Sequence, residues 1–73
     1  MSTPKPPSKK WRVITAASTT DDTSEQKAYA ELNALARIGT AAIGVRVTVH
    51  HWENGRWCLY ERAVITENGW EPA

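Results

Sequence analysis

Few side chains in this 73-residue chain have the intrinsic chemistry to ligate a metal or attack a carbon, and the plausible soft ligands are His50, His51 and Cys58. A closed zinc site needs converging ligands, whereas adjacent histidines on a strand point to opposite faces, so one of the pair is turned away. A Cys58 thiolate activated by His51 also needs a third group to orient the imidazole and donors for an oxyanion, and neither is discernible. Asp21 and Asp22 are adjacent carboxylates, but they stand just ahead of a helix-forming segment, where capping accounts for them without acid and base roles. No glycine-rich phosphate loop occurs: Gly39 and Gly44 read as a helix stop and a strand residue. The expectation is a non-enzymatic protein with no metal and no cofactor.

Binding is better represented. Four tryptophans and no phenylalanine favour half-buried or interfacial positions over a sealed core, because each indole N–H requires an acceptor. Trp52 and Trp57 flank Asn54-Gly55, and Lys9, Lys10 and Arg12 bracket Trp11, the one place where basic and aromatic residues interleave. Nine Lys and Arg against eight Asp and Glu leave a net charge of +1. No whole-molecule field therefore steers the chain toward DNA or an anionic membrane, and any basic patch is local. No apolar run approaches the roughly 20 residues of a membrane span, and no apolar h-region follows the N-terminal lysines. A single cysteine excludes an internal disulfide framework and fits a reducing compartment, so the expected location is cytoplasmic.

Several elements must position these side chains. Met1 to Lys10, MSTPKPPSKK, carries three prolines and three lysines and reads as a disordered, solvated tail; its Pro4 to Pro7 PxxP spacing is a match that short segments give by chance. Residues 11–73 read as a single small domain. A chain of this size buries only about 60% of the surface its unfolded form exposes, yet 41% hydrophobic and 23% charged residues mark a chain that folds. Trp11 to Ala16, rich in large and β-branched residues, reads as a first strand, and Ser18 to Thr23 as a polar loop. Asp22 with Glu25, or Thr23 with Gln26, has the spacing of a helix N-cap and its reciprocal partner. Good helix formers then run from Ser24 to Ile38, with Ala28, Tyr29, Leu32, Leu35 and Ala36 in one apolar stripe and Lys27 and Glu31 on the polar flank. Gly39 is placed to end the helix. Ala41 to Trp52 alternates as a second strand, with Val45, Val47, Val49 and His51 on one side and Arg46, Thr48, His50 and Trp52 on the other.

Asn54-Gly55 is the favoured centre of a type I′ turn and returns the chain along Arg56 to Ile65. This register sets Trp52 opposite Trp57, His51 opposite Cys58 and Val49 opposite Tyr60. The valines then share the helix-covering face with Tyr60 and Val64, and the tryptophan pair points away. Arg62 would face the core, an objection that a bulge near Glu61 to Ala63 removes. A three-residue loop would instead put Trp57, Leu59, Ala63 and Ile65 on the helix side. The run Trp52, Glu53, Asn54, Gly55, Arg56, Trp57 resembles the designed tryptophan-zipper hairpin peptides, in which WENGKW places facing indoles beside a type I′ turn. The resemblance covers six residues and implies a local fold alone. A second Asn-Gly, Asn68-Gly69, precedes Trp70 with too few residues left for a full strand, so Trp70 is expected as a plug or a partner contact.

Strand, helix, strand and hairpin strand define an α+β class, βαββ, with a three-stranded antiparallel sheet of order 1-3-2 and one helix packed on one face, like half of a ferredoxin-like fold. The helix-free face is expected to carry Arg46, Thr48, His50, Trp52, Trp57 and Leu59, joined by Arg56 and Trp11. An exposed aromatic and aliphatic patch marks an interaction surface, and Trp and Arg are enriched among interface hot spots. The expected function is a small interaction module that binds a protein partner or a second copy of itself as a homodimer. The alternative is single-stranded nucleic-acid binding, with Trp52, Trp57 and Trp11 stacking bases while Arg46, Arg56, Arg12, Lys9 and Lys10 track phosphates. The balanced charge and the lack of an RNP-like signature count against it. Neither a membrane nor a small-molecule substrate is indicated. In its alanine, arginine and tryptophan usage and its short, tailed form the chain looks similar to small accessory proteins of high-GC bacteria or their phages.

Overall fold

The computed structural model describes residues 7–73, so most of the expected tail lies outside the described residues. Five strands and one helix follow in the order β1 (Trp11–Ile14), β2 (Thr19–Asp22), α1 (Glu25–Ala36), β3 (Arg46–Glu53), β4 (Arg56–Thr66) and β5 (Gly69–Pro72), with a 3-10 turn at Thr40–Ala42. All strands join one antiparallel sheet of order β2-β1-β3-β4-β5. Among the described residues no helix is long and apolar enough to cross a membrane.

The expected three-stranded 1-3-2 sheet is therefore incorrect, and the reason lies in the segment expected to be a loop. Thr15 Oγ1 accepts the N–H groups of Ala17 (3.2 Å) and Ser18 (3.1 Å), a side-chain turn that reverses the chain and lets TTDD pair back on β1. The helix thus departs from β2, not β1. The crossover β2-α1-β3 leaves β2 and β3 running the same way, and β1 fills the gap between them, antiparallel to both. The hairpin strand β4 takes the other edge of β3. At the far edge, Asn68-Gly69 does make a strand: Glu67 and Asn68 form the turn, Gly69 takes φ 123°, and β5 pairs with β4 from Gly69 to Pro72.

The helix starts at Ser24, whose Oγ accepts the Lys27 N–H at 3.2 Å, one residue beyond the caps considered from spacing. Its apolar stripe packs as expected. Ala28 and Leu32 are fully buried against Val13, Val47, Val49, Ala63 and Ile65, with Tyr29, Leu35, Ala36 and Trp70 at the margin. Each large aliphatic side chain buried in this way contributes roughly 1.5–3 kcal/mol. The strand β3 begins later than the alternation from Ala41 suggests, because Gly44 adopts φ 90° and the residues before it coil into the 3-10 turn.

The hairpin keeps the type I′ register, with Asn54 at φ 52° and Gly55 at φ 80°. Trp52 pairs with Trp57, His51 with Cys58 and His50 with Leu59; the ladder then slips by one residue, so that Val49 pairs with Glu61 and Tyr60 is extra. This bulge sends Tyr60 and Glu61 both toward α1, where Tyr60 Oη donates to Glu25 Oε1 (2.9 Å) and Tyr29 Oη to Glu61 Oε1 (3.5 Å). Beyond it the alternation is inverted relative to a regular ladder. Arg62 and Val64 turn outward, opposite Thr48 and Arg46, and Ala63 and Ile65 enter the core. Val64 is thus removed from the face where the unbroken register placed it.

Candidate functional site

The single helix covers one side of five strands. By the two-residue period, the other side takes Asp21 from β2, Arg12 and Ile14 from β1, Arg46, Thr48, His50 and Trp52 from β3, Trp57, Leu59, Arg62 and Val64 from β4, and Glu71 from β5. Six of the eight expected residues are therefore brought onto one face. The other two are not. Trp11 pairs with His51 and lies on the helix side, its ring stacked on the imidazole at 4.4 Å and meeting Tyr60 edge-on at 4.8 Å. Arg56 pairs with Glu53 and has the opposite parity from Trp57. Trp70 also faces the helix, where it lies 5.9 Å from Tyr29 and its Nε1–H donates to Asn33 Oδ1 at 3.0 Å.

The aromatic end of the open face is tied together by Arg12. Its Nε and Nη2 donate to the two carboxylate oxygens of Asp21 (2.7 and 3.2 Å), and its Cζ sits 4.1 Å from the centroid of the Trp57 ring. Because β3 separates β1 from β4, this contact spans a strand, and one guanidinium links β2 to β4. The Arg12 hydrogen bonds hold the Asp21 carboxyl below the usual carboxylate range. Trp57 also meets Trp52 edge-on at 5.4 Å. His50 lies in the same row as Arg12, with Nε2 3.0 Å from Thr48 Oγ1. Burial, and then the Arg12 charge, lower its pKa, so it is neutral at pH 7.

The other end of the face differs in character. Arg46 and Arg62 are exposed, and the Arg12–Asp21 pair is the only ion pair among the described residues. Leu59 is 46% exposed, and Ile14 and Val64 are half-buried with no element above them. Sequence reasoning missed the roles of Asp21, Ile14 and Val64 here, because it read Asp21 as a cap and ran the β4 ladder without its bulge.

On the helix side, His51 and Cys58 are cross-strand neighbours, and His50 points away from both. Among the described residues no group of three or more His, Cys, Asp or Glu side chains is placed to hold a metal ion. Glu31 is not on a solvated flank but half-buried near Asp22. Burial, followed by the hydrogen bond with the Asp22 carboxyl, pushes its pKa up to about 7. The buried Asp22 Oδ2 has no hydrogen-bond partner among the described residues. Beside Glu31 runs an apolar groove of about 370 Å³ between α1 and the β1-β2 hairpin, lined by Val13, Ala34, Leu35 and Ile38.

No protein-family model, curated protein or solved structure matches this chain.

Proposed function

We propose that this chain is a small non-enzymatic interaction module that engages a protein surface, a partner chain or a second copy of itself, through the helix-free face of its sheet. The observation that supports the reading is the combination of Leu59, Ile14, Val64 and the Trp52–Trp57 pair on a face that no other element covers. Trp52, Trp57 and Leu59 adjoin one another there, and an uncovered apolar patch of this kind marks an interaction surface. Tryptophan and arginine, which dominate that face, are the side chains most enriched at interface hot spots.

Single-stranded nucleic acid is the weaker reading. A base would have to stack where the Arg12 guanidinium already lies over Trp57, and the Arg12 charge is taken up by Asp21. Arg56 has the wrong parity to follow a strand along this face.

The test is capture from the native cell with tagged wild-type and Leu59→Glu chains, alongside an oligonucleotide titration at low salt. A charge at Leu59 is expected to abolish association while circular dichroism stays unchanged. Association that ignores the change overturns the reading, and salt-sensitive quenching of tryptophan emission by oligonucleotides overturns it in favour of nucleic acid.

A further inference from the structure

We propose that the groove between α1 and the β1-β2 hairpin binds a small primary ammonium ion with an aliphatic tail, its head held by Glu31 and Thr20 and its tail laid along Leu35 toward Ile38. The groove lies on the helix side of the sheet, apart from the open face. At about 370 Å³ it has the size of a small-molecule site, and like such sites it is mainly apolar with a few polar groups. The helix sets its long axis: Glu31, Ala34, Leu35 and Ile38 recur at three-to-four spacing, a stripe about 10 Å long. Ile38, just past the helix end, is 63% exposed, an aliphatic side chain left for a ligand tail to cover. The polar groups of the lining differ in what they already hold. The Thr15 and Ser18 hydroxyls lie 3.2 Å apart, and Thr15 Oγ1 also accepts two N–H groups. Glu31 and the exposed hydroxyl of Thr20 are the remaining polar side chains. They belong to the same end of the groove, because Thr20 and Asp22 follow each other on the helix side of β2 and the Asp22 carboxyl is hydrogen-bonded to Glu31. Neither carboxyl has an ion-pair partner among the described residues. Lys9 favours the charged form of Glu31 without pairing with it. That end of the groove is therefore short of positive charge. A carboxylate only accepts, so it repels an anionic head, whereas an ammonium brings three donors and forms charge-assisted bonds. Burial beside Asp22 keeps Glu31 partly protonated at pH 7, and a bound ammonium takes the place of that proton.

Amide spectra of the full chain, titrated at about pH 8 with hexylamine, hexanol and hexanoate, test this; Glu31 is then charged and the amine is still an ammonium. Hexylammonium is expected to bind saturably, moving the amides of Thr20, Glu31, Leu35 and Ile38 while those of Thr48 and Leu59 on the open face hold. Hexanol is expected to bind at least about tenfold more weakly, and hexanoate more weakly still. Glu31→Gln is expected to lower the affinity for hexylammonium to that for hexanol. Thr20→Val, at an exposed strand position where the fold tolerates it, is expected to weaken binding of hexylammonium and not of hexanol. Ile38→Ser is expected to weaken both. The absence of saturable shifts, shifts confined to the open face, or equal affinity for hexanol and hexylammonium overturns the proposal. So does hexylammonium affinity that is unchanged in folded Glu31→Gln, or in Thr20→Val if Glu31→Gln does not fold.

Discussion

The Arg12 guanidinium lies 4.1 Å above the Trp57 ring while its Nε and Nη2 hold the two carboxylate oxygens of Asp21. One side chain thereby fixes the edge strand β2, its own strand and the hairpin strand β4. A charge paired in this plane also keeps the tryptophan ring half-buried without any covering element. Arginine suits the position because a planar fork can stack and donate twice at once, which an ammonium cannot.

Arg12→Lys should therefore destabilise the fold nearly as much as Arg12→Ala, by about 1 kcal/mol in urea unfolding. The two substitutions separate geometry from charge, and equal stability of Arg12→Lys and wild type would show that charge alone suffices. Asp21 adds a pH signature. Its folded pKa is depressed below 3.8, so its contribution is complete above that value and is lost as the pH falls through the folded pKa. Asp21→Asn should remove that acid-side loss.

The Asp22–Glu31 carboxyl pair gives the opposite sign. The Glu31 pKa rises from 4.5 to about 7 on folding, so the native state binds more protons than the unfolded one between those values. Its contribution to stability is complete below pH 4.5 and declines as the pH rises to about 7. Lys9 moderates the rise by favouring the charged form. Urea midpoints across this window should fall with pH in the wild type and stay level in Glu31→Gln.

Tyr60 is the unpaired residue of the β4 bulge, so its removal should restore a regular ladder with every neighbouring side chain on its present face. Deletion of Tyr60 should leave a folded chain weakened by about 1–2 kcal/mol through loss of the Glu25 hydrogen bond and the edge contact with Trp11. Deletion of Arg62 also closes the bulge and keeps Ala63 opposite Val47, but it moves Glu61 to the open face opposite Thr48 and removes its hydrogen bond with Tyr29, so the chain should fold while the Glu61 amide environment changes. Amide spectra of the two deletions make the comparison.

Leu32 is completely buried at the centre of the helix–sheet contact. Leu32→Ala should destabilise the domain by about 3 kcal/mol, a large share of the stability of a chain this small. Thermal unfolding should show a lower midpoint and a broader transition.

The features carried by local periodicity and turn chemistry were legible. The stripe of Ala28 and Leu32, the start of the helix to within a residue, and the pairing of Trp52 with Trp57 all follow from spacing and from Asn54-Gly55. What was not legible depends on contacts distant in sequence. Nothing in TTDD announces a strand. It becomes one because Thr15 turns the chain and Arg12 offers Asp21 a partner across the ladder. Once β2 exists, the helix starts from a different strand and the sheet order changes with it. The candidate face suffered similarly: the bulge hid Val64 behind a ladder drawn without it, and Trp11 joined the helix side only because β1 pairs with β3.

The aspartates of β2 and the proline of β5 also bear on how this chain behaves among its neighbours. A short, all-antiparallel protein with an uncovered face would ordinarily be a seed for fibrils, since each free margin can recruit another chain and pass the template on. Here the paired aspartates on one margin and the proline on the other, which has no N–H to offer, oppose growth in that direction from its first step.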